Sequence, residues 1–151
     1  MLPGRDLIQY FVSQADGYPD GSLFGQCGRQ CLNGYSPIEI LPRTGESVPV
    51  SLVVRGYFVE TEYLYTLLRF SRYLPRPITE DDILLSWALR TYTDRLIYLT
   101  SRPERPSELM NEQELPAPYA CCERPEHHEI RERFWTRCQE ISLKIQESLV
   151  F

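Results

Sequence analysis

Residues 79–99, TEDDILLSWALRTYTDRLIYL, decide the fold that the sequence predicts. Thr79 and Asp82 form a start that resembles a capping box, and the acidic residues between them favour the positive end of a helix. Leucines then recur at helical spacing, and Ile83, Trp87 and Ile97 widen the apolar face far beyond a stripe. The pattern predicts a central helix over 79–99, and a helix with so much apolar surface must be wrapped by others.

Composition limits the class of protein. The chain has 151 residues, 42% of them hydrophobic, which fits a single domain over residues 1–151. A net charge of −5 and almost no lysine argue against nucleic-acid binding. The N-terminus does not resemble a secretory signal, no apolar run is long enough to span a membrane, and five cysteines without an export signal suggest free thiols. The sequence therefore predicts a cytoplasmic, soluble protein.

The rest of the chain also favours helices. Residues 51–59 fit a strand as well as a helix, but a helical period continues through 73, so we expect a helix over 51–73. Proline, glutamate and arginine dominate residues 101–118, which we expect to form a mobile connector. The predicted fold is all-α, a single-domain helical bundle with this order of segments: an opening helix (5–15), a helix or loop (22–33), an irregular connection (34–49), the helix at 51–73, the central helix, the connector, and an amphipathic closing helix (125–151).

Cysteines and histidines are the strongest candidates for chemistry. A zinc site or a thiol nucleophile could use Cys27, Cys31, Cys121, Cys122, His127 and His128. Their spacing matches no recognised zinc motif, and half-buried thiols with surface histidines explain them as simply. Asp81 and Asp82 are explained by helix-start electrostatics. We therefore expect no enzyme, no metal and no cofactor.

Two short segments resemble motifs of other protein classes. Ser22 and Leu23, followed by Cys27 and Cys31, resemble the box through which cullin-ligase adaptors insert a helix into elongin. Tyr119-Ala120-Cys121-Cys122-Glu123 resembles a retinoblastoma-pocket motif. Either segment predicts a substrate adaptor or a host-factor binder.

A longer resemblance begins in the opening helix. Arg5-Asp6-Leu7-Ile8, Phe11-Val12-Ser13-Gln14 and Gly17-Tyr18 resemble the first-helix motif of the B-cell lymphoma two (Bcl) family of apoptosis regulators, which has divergent viral members. The resemblance implies an α-helical bundle with a surface groove. It also implies an anti-apoptotic function, in which the groove binds the amphipathic helix of a pro-apoptotic partner.

Under this hypothesis, residues 51–73 and 79–99 supply the groove walls. The expected apolar pockets are lined by Tyr57, Tyr63, Leu64, Leu67 and Phe70. The positive charge that meets an acidic residue of the partner is expected from Arg69, Arg72 or Arg90. The leading prediction is thus a Bcl-like interaction protein, the adaptor and the zinc or thiol protein stay open as alternatives, and the ten tyrosines leave a homodimer open.

Overall fold

The computed structural model describes residues 4–32, 34–70, 80–109 and 126–149. Their fold is α+β, so the predicted all-α bundle is wrong. In chain order the elements are α1 (Leu7–Gly17), β1 (Gly21–Cys31), β2 (Pro37–Ile40), β3 (Val48–Pro49), β4 (Leu52–Val59), α2 (Thr61–Phe70), α3 (Asp81–Tyr92), β5 (Leu96–Leu99), a 3₁₀ turn (Pro106–Glu108) and α4 (His127–Leu149).

Strand β1 organises a five-stranded mixed sheet. One edge of β1 pairs antiparallel with β4. The other edge is shared, since its first half pairs parallel with β5 and its last residues pair antiparallel with β2. The short strand β3 pairs antiparallel with the outer edge of β5.

Glycines fit the strand β1 (Gly21–Cys31), which forms where helix or loop is the expectation from sequence for residues 22–33. A Cβ at Gly25 would lie 2.7 Å from the Cβ of Val53, and a Cβ at Gly28 would lie 3.0 Å from that of Leu99. The glycines therefore permit close approach of neighbouring side chains across the sheet, and a bulge between Gly25 and Cys27 accommodates the packing.

Two segments that are each predicted as one helix form a strand and a shorter helix instead. The segment expected to be helical over 51–73 forms β4 and then α2, so the β-branched residues of its first half prevailed. The central stretch forms α3, a turn and β5. Residue 79 lies outside the described residues, and Glu80, the N-cap of α3, makes no capping hydrogen bond through its side chain.

Helix α3 is nevertheless buried on nearly all sides, as its composition predicts. Residues 82–89 are all buried. One side packs with Phe134, Trp135 and Cys138 of α4, while Leu85 and Leu89 pack with β1, β4 and β5. Helix α1 covers the opposite face of the sheet through Phe24 and Tyr98, so it does not wrap α3 as expected. The helical predictions for α1 and α4 are confirmed.

Candidate functional site

The described side chains among the expected groove residues lie on three elements: Tyr57 on β4, Tyr63 and Leu64 on α2, and Arg90 on α3. Tyr57 lies on β4, and its hydroxyl donates a hydrogen bond to Oδ2 of Asp81 at 2.6 Å. Burial, and then that hydrogen bond, raise the pKa of Tyr57 above its ordinary value. Tyr63 is buried against Leu85 and Leu89, whereas Leu64 is 41% exposed.

The other expected groove residues have varied positions. Leu67, Arg69 and Phe70 belong to α2, although their side chains lie outside the described part of the chain. Arg72 lies outside the described residues altogether. Arg90 is exposed on the last turn of α3, where it lines a cleft. Of the three arginines expected to bind an acidic residue of the partner, Arg90 is therefore the one whose side chain the structure describes, and it lines this cleft.

The cleft has a volume of about 460 Å³ and lies beside the carboxyl end of α3. Its walls come from the end of α3 and the start of β5 on one side, and from β1 and the segment between β3 and β4 on the other. The lining residues are Gln30, Pro49, Val50, Ser51, Arg90, Thr93, Asp94, Arg95, Leu96 and Ile97.

Two arginines are anchored in this cleft by backbone carbonyls. Nη1 of Arg90 donates a hydrogen bond to the carbonyl oxygen of Ser51 at 3.3 Å. Nη1 of Arg95 donates to the carbonyl oxygen of Pro19. A guanidinium group has five N–H donors, so each anchored side chain keeps donors for a ligand. Both arginines are exposed.

The turn that carries Arg95 is fixed by Thr93. The hydroxyl of Thr93 donates to the carbonyl of Leu89 at 2.5 Å and accepts a hydrogen bond from the backbone N–H of Arg95 at 3.3 Å. The backbone N–H of Thr93 also donates to the Leu89 carbonyl at 3.0 Å. These bonds end α3 and direct the chain into β5, so the positions of Arg90 and Arg95 are set by hydrogen-bonded backbone.

The electric field of these arginines reaches neighbouring groups. Burial raises the pKa of Tyr63, and the charge of Arg95 opposes the rise. Burial also raises the pKa of the Cys31 thiol, and Arg90 is the first of three arginines that oppose it. Arg90 and Arg95 both line the cleft, where Asp94 is the one lining carboxylate that the structure describes.

A second polar cluster is buried where α3 meets α4. Nη2 of Arg131 lies 2.7 Å from Oδ2 of Asp82, and Nη1 donates to Oδ1 at 3.0 Å. Nε of Arg131 donates to the hydroxyl of Tyr35. The side chains of Arg131 and Asp82 are 6% and 11% exposed. Asp82 lies in the first turn of α3, as predicted, and it also forms a buried ion pair with Arg131, which the sequence alone does not indicate.

Electrostatics around this ion pair extend to the start of α4. Burial would lower the pKa of Arg131, but the hydrogen bonds and charge of Asp82 outweigh it, so that pKa is raised. Burial, and then the charge of Arg131, lower the pKa of His127, while Glu80 and Asp82 oppose that change. The cluster is enclosed and internally hydrogen-bonded, which makes it a structural lock between two helices.

The expected zinc ligands are only partly within the described chain. Cys27 and Cys31 are half-buried on β1, while His128 is exposed with its ring 5.6 Å from that of Tyr35. Cys121 and Cys122 lie outside the described residues. Among those described, no group of three or more histidine, cysteine or acidic side chains could hold a metal ion.

The two short motifs have different outcomes. Residues 22–31, which an elongin box requires as a helix, form strand β1, and Leu23 is fully buried within the core. Docking through that segment would need the sheet to open. The retinoblastoma-like motif at 119–123 lies outside the described residues.

Sequence reasoning missed Arg95 and Asp94, because residues 79–99 look like one continuous helix. The usable signal was the turn residue Asp94 followed by the strand-like run LIYL. No helix among the described residues has the length and apolar character needed to cross a membrane. No family model, curated protein or solved structure matches the chain.

Proposed function

We propose that this protein is a non-enzymatic interaction module that binds a segment of a partner protein in the cleft beside α3, with Arg90 and Arg95 engaging an acidic side chain of that segment. The observation that carries the proposal is that two exposed arginines, each hydrogen-bonded to a backbone carbonyl, line one cleft. Guanidinium groups bind carboxylates through paired, charge-assisted hydrogen bonds.

The composition and size of the cleft support a peptide ligand. Leu96, which is 43% exposed, supplies an apolar contact, and Val50 and Ile97 form the buried floor beneath it. Gln30 supplies a polar side chain. A volume of about 460 Å³ is within the range of roughly 300–1,000 Å³ that is usual for ligand pockets. This space accommodates an acidic side chain together with an apolar neighbour.

Binding is favoured over catalysis by the chemistry of the lining. Among the ten described residues around the cleft, Asp94 is the one carboxylate, and none is a histidine, cysteine or lysine. An acid–base pair or an activated nucleophile would need a second suitable group within hydrogen-bond distance. These residues supply hydrogen-bond donors and apolar contacts, which suits recognition.

The proposal keeps part of the function predicted from sequence. It retains peptide recognition, and it retains Arg90 as the positive group that meets an acidic residue. It does not use a groove between helices, because residues 51–59 belong to the sheet. Regulation of apoptosis stays a prediction that rests on the resemblance of residues 5–18.

Selection of randomised dodecapeptides against the immobilised protein tests the proposal. We expect the enriched peptides to carry Asp or Glu next to apolar residues. Their affinity should fall about tenfold or more in the double variant R90A/R95A, because each lost charge-assisted contact weakens binding by on the order of 1 kcal/mol.

A double variant R133A/R137A is the matched control. Arg133 and Arg137 are exposed on α4 and away from the cleft, and their removal changes the net charge equally. Equal affinity of the enriched peptides for wild type and R90A/R95A would overturn the proposal. Death-motif helices in the same assay test the Bcl-like prediction, which fails if none binds tighter than about 10 μM.

A further inference from the structure

Asp94 gives the cleft a negative side chain, and in the sequence it lies between the two lining arginines. Asp94 is exposed, lies next to Arg95, and lines the same cleft as Arg90. It makes no ion pair with any residue of the described ranges. Its carboxylate therefore lowers the net positive charge of the cleft. A site that bound anions of any charge would gain nothing from such a group.

We infer that Asp94 makes the cleft selective for a singly charged carboxylate of the partner, and against a doubly charged phosphoryl group. The inference rests on the proposed function and specifies the chemistry of its ligand. Arg90 and Arg95 supply two positive charges and Asp94 removes one, so one net positive charge remains. A carboxylate neutralises that charge, whereas a phosphoryl dianion leaves the cleft negative.

The position of the cleft at the carboxyl end of α3 also disfavours a second negative charge on the ligand. The carboxyl end of a helix carries a partial negative charge, and α3 ends at Tyr92, immediately before the lining residue Thr93. Arg90 in the last turn offsets this partial charge, which reduces the positive potential available to a ligand.

Two capped tripeptides serve as probes, Ac-Ala-Glu-Ala-NH₂ and its phosphoserine counterpart, titrated at pH 7 while amide resonances of Gln30, Ser51 and Ile97 are followed by NMR. We expect wild type to bind the glutamate peptide about tenfold more tightly, because the extra charge meets Asp94 at short range. In D94N the preference should disappear or reverse. At pH 5 the phosphoserine group is largely singly charged, and wild type should then bind both peptides about equally.

The control variant is D16N, which removes one exposed carboxylate from α1 and should keep the wild-type preference. Equal or tighter binding of the phosphoserine peptide by wild type at pH 7 overturns the inference and leaves the proposed function standing. A preference that is unchanged in D94N also overturns it. If neither peptide shifts the three cleft resonances at millimolar concentration, the proposed function fails as well.

Discussion

The buried cluster of Arg131 and the cleft of Arg90 and Arg95 differ in how the protein binds the arginine side chain. Arg131 is buried, and its guanidinium group is engaged by Asp82 and Tyr35, residues that are far apart in the sequence. Arg90 and Arg95 are exposed and are each anchored to one backbone carbonyl. A guanidinium enclosed by its own fold stabilises that fold, whereas one held by a single carbonyl keeps donors for another molecule.

The comparison predicts opposite consequences for substitutions at the two sites. Changes at the buried site should alter the free energy of unfolding, whereas changes at the cleft should alter binding with little effect on stability. The predictions below are arranged from the largest expected change in stability to the smallest.

Replacement of Asp82 with Ala gives the largest expected effect. It leaves the Arg131 guanidinium buried without its counter-charge, which typically costs about 3–5 kcal/mol. Urea unfolding followed by tryptophan fluorescence measures the loss, since Trp87 and Trp135 lie in the core that the ion pair adjoins.

A double variant that replaces the pair with apolar residues, D82L/R131M, controls for the charge itself. It should be less destabilised than D82A, because no unpaired charge remains buried. If D82A loses under about 1 kcal/mol, the Arg131 cluster is not a structural lock, and the contrast between the two sites fails.

Replacement of Tyr35 with Phe gives the next largest effect. The hydroxyl accepts a hydrogen bond from Nε of Arg131, so its loss removes one buried, charge-assisted hydrogen bond, at a cost of roughly 1–2 kcal/mol. The ring should stay in place, because it packs against Trp135. S13A is the control, because it removes a hydroxyl that donates to the Tyr10 carbonyl at 2.7 Å from an exposed position on α1. Equal losses of stability in Y35F and S13A would contradict the prediction.

The parts of the fold that sequence could predict are those with local signals. Helices α1 and α4 have an apolar period of 3.6 residues, and α3 is apolar enough to require burial on both sides. In contrast, β1 is a strand because distant residues meet it: Gly25 faces Val53, and Gly28 faces Leu99. A pairing of that kind leaves no periodic trace in a sequence read alone.

The same distinction applies to the candidate sites. Arg90 is one of the three arginines that the Bcl-like hypothesis offers for an acidic residue of the partner, and it lines the cleft. The ion pair of Arg131 with Asp82 joins residues 49 positions apart. The local signal at Asp82, an acidic residue at a helix start, is correct, but it does not reveal the buried partner, which only the tertiary structure shows.

Acidification should weaken the buried site through His127. The unfolded chain keeps the ordinary histidine pKa near 6.5, and the folded chain has a lower pKa because of burial and Arg131. As pH falls below about 7, the unfolded state therefore binds the proton first, and stability that is fully present above that pH is lost.

Chemical unfolding at pH 7.5 and pH 5.5 measures this change. H127Q should lose less stability between these pH values than wild type does. H128Q is the matched control, because His128 is exposed beside the same cluster. A decrease in H127Q equal to that of wild type would show that other groups cause the pH dependence.

The smallest change in stability is expected at the cleft, and it completes the comparison. R95Q removes the charge of an exposed side chain and its hydrogen bond to the Pro19 carbonyl at the surface, so the free energy of unfolding should change by under about 0.5 kcal/mol. Acid-containing peptides from the selection should nevertheless bind R95Q about tenfold more weakly. The two measurements, made on one purified variant, separate recognition from folding. A loss of stability at R95Q as large as that at Y35F would mean that the cleft arginines also hold the fold together, because the turn after α3 would then depend on the bond to Pro19.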